Sequence, residues 1–390
     1  MKRPIRLAIL AVATALIGIG AIVFARNPVV KQYLADRTFH RVLADYTEHT
    51  VLKTIGLAVG DIRALDAAVK RLQADPTDEN MVKAADAWRI ARARWKQTAV
   101  FDFGPSAYYN FDKQLSTWPL DRPLVDHRLS EIAAGRLQMD ARCLRERINA
   151  SQRGFLAAEY LLFRDGRPRR ATEVSSAELS YLAAVTEAMV VESIDYEAAW
   201  AGTANLPADK AAILEQAGLK SRTSFAAEFK HPGRPGSRYV SFSIPLQEIF
   251  QDSIAVVEEM CPAIGEVFLS GEPRDSETWY SYNASADFLN LLQGVEDAYL
   301  GGVQGARGHS VSELVAAQSE VLDRRIRIAL ADTAYRISAL GDPYDKDREG
   351  RELAVRIAES ACGKLLSRLT AAQPLVCMDP NTRPWAAYGR

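Results

Sequence analysis

Val51-Leu52-Lys53-Thr54-Ile55-Gly56-Leu57-Ala58-Val59-Gly60-Asp61-Ile62-Arg63-Ala64-Leu65-Asp66-Ala67-Ala68-Val69-Lys70-Arg71-Leu72 is the stretch whose reading decides the fold. Val51, Ile55, Ala58, Ile62, Leu65, Val69 and Leu72 recur at alternating spacings of four and three. That period puts one apolar stripe along a helix and makes it the seam of a bundle. Asp75-Pro76 stops the helix. Thr77 or Asp78 caps the next one, with Asp78 and Glu79 near its positive end. This second helix runs through Trp88 and Trp95 to about Val100.

The same pattern continues outward. Ser175 and Glu178 form a capping box that opens a helix toward Trp200, and Ser310 with Glu313 opens one toward Leu340. Leu353, Ile357, Ala361, Leu365 and Leu369 form the stripe of the last long helix. Tyr239-Val240-Ser241-Phe242 is the one strand candidate. Helices with short or Gly/Pro-rich connections predict an all-α chain of two packed up-and-down helical bundles. The boundary falls between Ala201 and Pro245, around the dense His231-Pro232-Gly233-Arg234-Pro235-Gly236-Ser237. The expected division is residues 1–25 as signal peptide or N-terminal anchor, 26–205 as a first bundle and 206–390 as a second.

At 390 residues the chain is long enough for two such cores, and 48% hydrophobic with 25% charged residues is a globular composition. A net charge of −1, with no recognisable binding motif, excludes an electrostatic footprint for nucleic acid. Lys2, Arg3 and Arg6 precede the uncharged run Leu7–Phe24, and Val23-Phe24-Ala25 stands before Arg26. This layout predicts export, with the leader either cleaved or kept as a membrane anchor through residues 7–24. Either way the remainder lies on the outer side of a membrane. The first cysteine, Cys143, is too distant for lipoprotein anchoring. Cys143, Cys261, Cys362 and Cys377 form no Cys-x-x-Cys. A Cys362–Cys377 bridge tying the last helix to the tail and four buried free thiols are the two readings left open.

Four segments are neither plain seam nor plain loop. In Trp88–Trp95, Trp88, Arg92 and Trp95 share a helix face, where Arg92 could hold an anion or pair with a helix carboxylate. The aromatic and Gly/Pro-rich run from Phe101-Asp102-Phe103-Gly104-Pro105 through Asp112 to Trp118-Pro119 has a defined conformation to hold. The third is Gly154–Phe163. In the fourth, Glu277–Asp287, the oxygens of Ser281, Ser285 and Asp287 gather at a helix start, which suits capping or a polar pocket. His40 and His49 lie nine apart on one helix and face opposite sides, and no His-x-x-His, His-Glu-x-x-His, Gly-x-Ser-x-Gly or P-loop occurs.

Taken together, the Trp/Arg helix, Phe103-Gly104-Pro105, Trp118-Pro119, Gly154-Phe155…Glu159-Tyr160-Leu161-Leu162-Phe163 and the Glu277, Ser281, Ser285, Asp287 series resemble the imelysin family. That group comprises imelysin peptidase and the iron-regulated protein A-like envelope proteins. The resemblance implies two helical bundles packed together. It also implies a signature with His two residues after the Gly and Glu three beyond it; here Gly154 and Glu159 match and the His position holds Leu156. Imelysin itself is described as a metallopeptidase acting on insulin-like substrates, while other members look like parts of iron-uptake systems.

Leu has no lone pair, so Glu159 is the single signature metal ligand that carries over. The expectation is a non-catalytic, periplasmic-side envelope protein that binds a ligand or partner in iron acquisition. Its cleft candidates are Arg92, Trp95, Asp112, Ser281, Ser285 and Asp287, and its partners are envelope iron-uptake proteins. Any cofactor would be iron or another divalent metal. The alternative is a metallopeptidase that recruits ligands outside the His–Glu pair.

Overall fold

The computed structural model describes residues 28–270, 276–341 and 350–377, so the leader reading of residues 1–25 lies outside the described residues. The helices that build and support the site are α1 (Pro28–Asp45), α2 (Lys53–Ala74), α3 (Asp78–Lys96) and α4 (Gly154–Leu162). They continue with α5 (Ser176–Ala201), α6 (Ser243–Ser270), α7 (Ala284–Leu300), α8 (Glu320–Ser338) and α9 (Arg351–Cys377). Among the described residues the one sheet is a two-stranded hairpin, β1 (Phe163–Arg164) with β2 (Arg167–Pro168). Its turn places Asp165 at φ 47° and Gly166 at φ 76°, the twist an Asp-Gly pair supplies. No helix of the described residues is long and apolar enough to cross a membrane.

All seven stripe residues, Val51 and the six on α2, are at most 2% exposed, so the three–four spacing is a true packing seam. Burial of each Leu, Ile or Val there contributes about 1.5–3 kcal/mol. The stripe faces α3 on one side and α5 on the other. Thr77 caps α3 by accepting from the Asn80 amide at 3.3 Å. Ser175 and Glu178 cap each other's amides at the start of α5. In the second set α6 and α8 both pack on α9. Helix α7 joins the sets, touching α3 and the Gln97–Phe101 turn on one side and α6 and α8 on the other. Gly294 makes that crossing close: a Cβ there would sit 2.7 Å from the Gln97 carbonyl oxygen.

Several expectations are corrected. Tyr239–Phe242 is not a strand. The aromatic run from Phe101 to Pro119, whose Gly/Pro content reads as a loop, holds two short helices, Pro105–Tyr109 and Phe111–Ser116, and Arg122–Ala133 follows it. The helix opened by Ser310 ends at Gln318, because Ser319 is extended and caps α8 by accepting from the Leu322 amide. On α9, Leu353 and Ile357 point outward, 65% and 38% exposed. The expected Ala361, Leu365 and Leu369 are buried, and the seam they belong to runs through Val355, Ala358, Cys362, Leu365, Leu369, Ala372 and Val376, a three–four repeat. At its N-terminal end the seam passes through Val355 and the small Ala358, beside the bulkier Leu353 and Ile357 that drew the reading away.

The cysteine pairing is corrected for the same reason. Cys362 lies in the α9 seam facing α6, and it bonds to Cys261 with a Cα–Cα distance of 5.7 Å, while Cys143 and Cys377 are free. Cys377 is fifteen residues further along the same helix, about 22 Å away at 1.5 Å per residue, beyond any disulfide's reach. The bond closes a segment of 101 residues. Replacing both Cys261 and Cys362 by Ala is therefore expected to lower stability by about 2–5 kcal/mol in urea denaturation. Non-reducing peptide mapping should show the Cys261–Cys362 link in the parent protein.

Candidate functional site

The signature helix α4 starts at Gly154, whose φ is +75° and whose missing Cβ would collide with the Leu115 carbonyl. Only glycine fits a positive φ against another backbone at that distance. All nine residues of α4 are buried. The Trp88 indole N–H donates to the Phe155 carbonyl at 2.9 Å, which locks α4 to α3. The hairpin then turns back, and the Gly166 amide donates to Tyr280 O at 3.0 Å. Arg89 donates to the carbonyls of Gly166 and Ser281, both at 3.1 Å. The Ser281 turn is thereby held against the signature helix.

Glu159 meets that turn directly. Its Oε1 accepts from the Ser281 amide at 2.8 Å and from the Ser281 hydroxyl at 2.7 Å. Burial pushes its carboxyl up to about 8, against the opposing pull of the Ser281 hydrogen bonds and of Arg92. At neutral pH it is therefore mainly a neutral acid. Leu156 and Glu159 line a mostly apolar cavity of about 340 Å³ with Trp118, Pro119, Leu120, Trp279 and Tyr280. A metal held by the family signature would need a lone pair at position 156 and an ionised Glu159. The residues present do not fit one, and among the described residues no three His, Cys, Asp or Glu side chains converge on a metal position.

Across Glu277 and Trp118, which border both cavities, lies a second space of about 480 Å³. Behind its wall sits Arg92, fully buried. Its guanidinium reaches Asp287 Oδ2 at 3.0 Å and Glu277 Oε1 at 2.8 Å, and donates to Ser116 Oγ. Lys96 Nζ takes the other oxygen of Glu277 at 2.6 Å. Thr278 and Asn283 donate to Asp287 at 3.1 and 2.9 Å. Burial works against both charges, but the pairing outweighs it, so Arg92 is held more firmly protonated and Glu277 well below the usual carboxylate range. The aromatic partner of Arg92 is the Phe155 ring at 5.7 Å rather than an indole of its own helix.

The rest of that cavity is acidic. Asp102, Asp112, Asp252, Glu259 and Glu266 line it, with Trp95, Phe111, Trp118, Tyr196 and Phe288. None of those five carboxylates forms an ion pair among the described residues. Burial, helped by Asp112 and Glu259, pushes Asp102 up to about 6; burial, helped by Asp102, pushes Asp252 up to about 7. One oxygen of Asp252 is buried and without a hydrogen-bond partner. Like-charge repulsion among these acids is only partly offset by Lys113 at Asp102 and by Lys96 and Arg92 at Asp112.

Of the residues singled out in the sequence, Trp95, Asp112 and Asp287 line the acidic cavity and Arg92 lies behind it. Ser281 serves Glu159. Ser285 is elsewhere, donating to the Gly341 carbonyl at 2.6 Å. Lys96, Ser116, Asp102 and the three α6 acids were not anticipated. The last had a legible signal: Asp252, Glu259 and Glu266 recur every seven residues, which puts them on one face of α6.

Two helical bundles meeting at a buried arginine–carboxylate node, beside an acidic cavity, define the class: an all-helical two-bundle protein whose Gly154–Glu159 signature helix is turned inward. The family profile described as Imelysin matches residues 54–369, and the chain belongs to the imelysin family. Iron-regulated protein A of Synechococcus elongatus is 24% identical over 308 residues, covering 78% of this chain and 77% of that protein. An iron-regulated protein A precursor from Parabacteroides distasonis superimposes with a TM-score of 0.72 at 23% identity, over 87% of this chain and 95% of that one. An imelysin-like protein from Psychrobacter arcticum gives 0.59 at 14% identity, over 87% and 93%.

Two outcomes follow. Arg92→Met leaves Asp287 and Glu277 without their buried cation and should cost about 3–5 kcal/mol in chemical denaturation. For Glu159 the folded pKa of about 8 exceeds the free-carboxyl value of 4.5. Its stabilising contribution is thus complete below that lower value and is lost as pH rises through the upper one. Glu159→Gln, which keeps an acceptor for Ser281, should gain stability relative to the parent between pH 5 and pH 8. It should also remove a protonated-carboxyl stretch from the neutral-pH infrared spectrum.

Proposed function

We propose that this chain is an exported, non-catalytic member of the imelysin family that binds a positively charged ligand in the acidic cavity and serves iron acquisition at the cell envelope. The observation that carries the reading is the set of five carboxylates lining one small-molecule-sized space, none of them in an ion pair among the described residues, while the lining Lys96 is held by Glu277. Such a site raises the local concentration of cations and steers them in. The neighbouring aromatic rings suit a ligand with an organic shell as well as a bare ion.

The iron assignment rests on the relatives' names, one from Synechococcus and one from Parabacteroides, and envelope placement rests on the word precursor in the latter and on the leader-like residues 1–25. Envelope iron-uptake proteins are the partners this implies. Against hydrolysis stands the Glu159 geometry, a protonated acid committed to Ser281 next to an aliphatic side chain.

The test is calorimetry of the exported protein with ferrous and ferric salts and with an iron chelate of net positive charge. Binding should weaken with added salt, and Asp102→Asn with Glu259→Gln should cost at least about tenfold in affinity. No binding to any of the three probes, or equal binding by the double variant, would remove the cavity from the mechanism. Chelator-sensitive cleavage of a peptide substrate would instead establish the metallopeptidase alternative. Intact mass of the exported chain separates a cleaved leader from a retained anchor.

A further inference from the structure

Away from both cavities, two imidazoles from distant parts of the chain face each other. His40 Nε2, on α1, lies 3.0 Å from His231 Nδ1, in the Pro/Gly-rich turn after the short helix Phe225–Phe229. The residues are 191 apart in sequence and both are half-buried. The ring centroids are 5.0 Å apart and the planes are tilted by 32°.

Both distances are those of two donors on one metal ion. With metal–nitrogen bonds of about 2.0–2.1 Å, the nitrogens of two cis imidazoles lie about 2.9 Å apart at a right angle and about 3.3 Å apart at the tetrahedral angle. The ring centroids then lie about 4.5 and 5.2 Å apart. The observed 3.0 and 5.0 Å fall inside both intervals. A head-on hydrogen bond of this length would set the centroids slightly further apart, so the rings are not collinear.

The backbone holds this arrangement in advance. The His231 amide donates to Glu228 O at 3.1 Å, and its carbonyl accepts from Arg234. Lys230 pairs with Glu48 at 2.6 Å, tying the same turn to the helical rod that carries His40. Burial, with Arg234, His40 and Lys230 adding to it, lowers the His231 pKa and favours the neutral, ligating imidazole.

We propose that His40 and His231 form a two-imidazole clip for a late first-row divalent metal, with copper(II) held most tightly and nickel(II) and zinc(II) following. Without metal, one ring donates its N–H to the other. On binding, that ring moves its proton to its far nitrogen and both facing lone pairs turn to the metal, so no net proton is released. Among the described residues no third protein donor converges, and water completes the coordination. The clip crosslinks α1 to the linker turn and stabilises the folded chain by mass action.

The experiment titrates copper(II) into the full exported chain, with calorimetry and electron paramagnetic resonance. The parent should bind one tight equivalent with hyperfine coupling from two imidazole nitrogens. His40→Gln and His231→Gln should each weaken it at least about tenfold. Glu159→Gln and the Asp102→Asn with Glu259→Gln variant should leave it unchanged, which separates this site from the acidic cavity. In the unaltered chain, the ring signals of His40 and His231 should broaden before those of His49, His127 and His309, each of whose rings faces a carboxylate four residues away rather than a second imidazole. That readout does not depend on how well a variant folds. First broadening at one of those three, single-nitrogen coupling, or undiminished affinity in both His variants would overturn the assignment.

Discussion

Arg92 is a permanent cation with no exposure to water, and its guanidinium can exist there only because Asp287, Glu277 and Ser116 come to it. Those partners come from α7, from the segment just before it and from the short helix Phe111–Ser116. One side chain of α3 therefore requires three other parts of the chain to be in place. Removing a partner leaves a buried charge unpaired, which is far costlier than the pair itself is favourable. The same constraint fixes the Glu277 position, and Glu277 is the wall shared by the two cavities. Around this node the packing of α4, the Ser281 turn and the β1–β2 hairpin follows from hydrogen bonds whose donors are Trp88 and Arg89, one helix turn away.

Leu156, at the position where the family resemblance implies a His, leaves the signature helix without a ligating side chain at that place. Gly154 still meets the Leu115 carbonyl, and Glu159 still points at the Ser281 turn. What is altered is the medium. An aliphatic wall raises the cost of ionising Glu159, and the acid becomes a hydrogen-bonding group. Charge lies one wall over, in the cavity where α6 presents Asp252, Glu259 and Glu266. A neutral pocket and a strongly anionic pocket thus stand side by side. The ion-paired Glu277 between them is neutralised on both oxygens by Arg92 and Lys96.

The disulfide and the histidine pair show how much depends on helix phase. Cys362 meets Cys261 because the α9 seam is the series Val355, Ala358, Cys362, Leu365 and Leu369. The expected stripe holds at Ala361, Leu365 and Leu369 and fails at Leu353 and Ile357, where the seam runs instead through Val355 and Ala358, since hydrophobic size is a weaker guide than contact with a neighbouring helix. His40 and His231 gave no sequence signal at all, because a spacing of 191 residues has no period to detect.

What the sequence determined by itself was local and periodic: the α2 seam, the Thr77 and Ser175 caps, the absence of a sheet-forming pattern, and hence a helical-bundle chain with an imelysin-like series of motifs. It also determined that position 156 cannot ligate a metal, because that is a property of a side chain and not of its surroundings. Tertiary structure alone decided which acids share a cavity, which cysteine bonds to which, and that Ser281 belongs to Glu159 while Ser285 turns away to Gly341. Those outcomes depend on where helices cross. Crossing is set by backbone approaches such as Gly294 against Gln97 and by the demand of one buried guanidinium for partners far away in the chain.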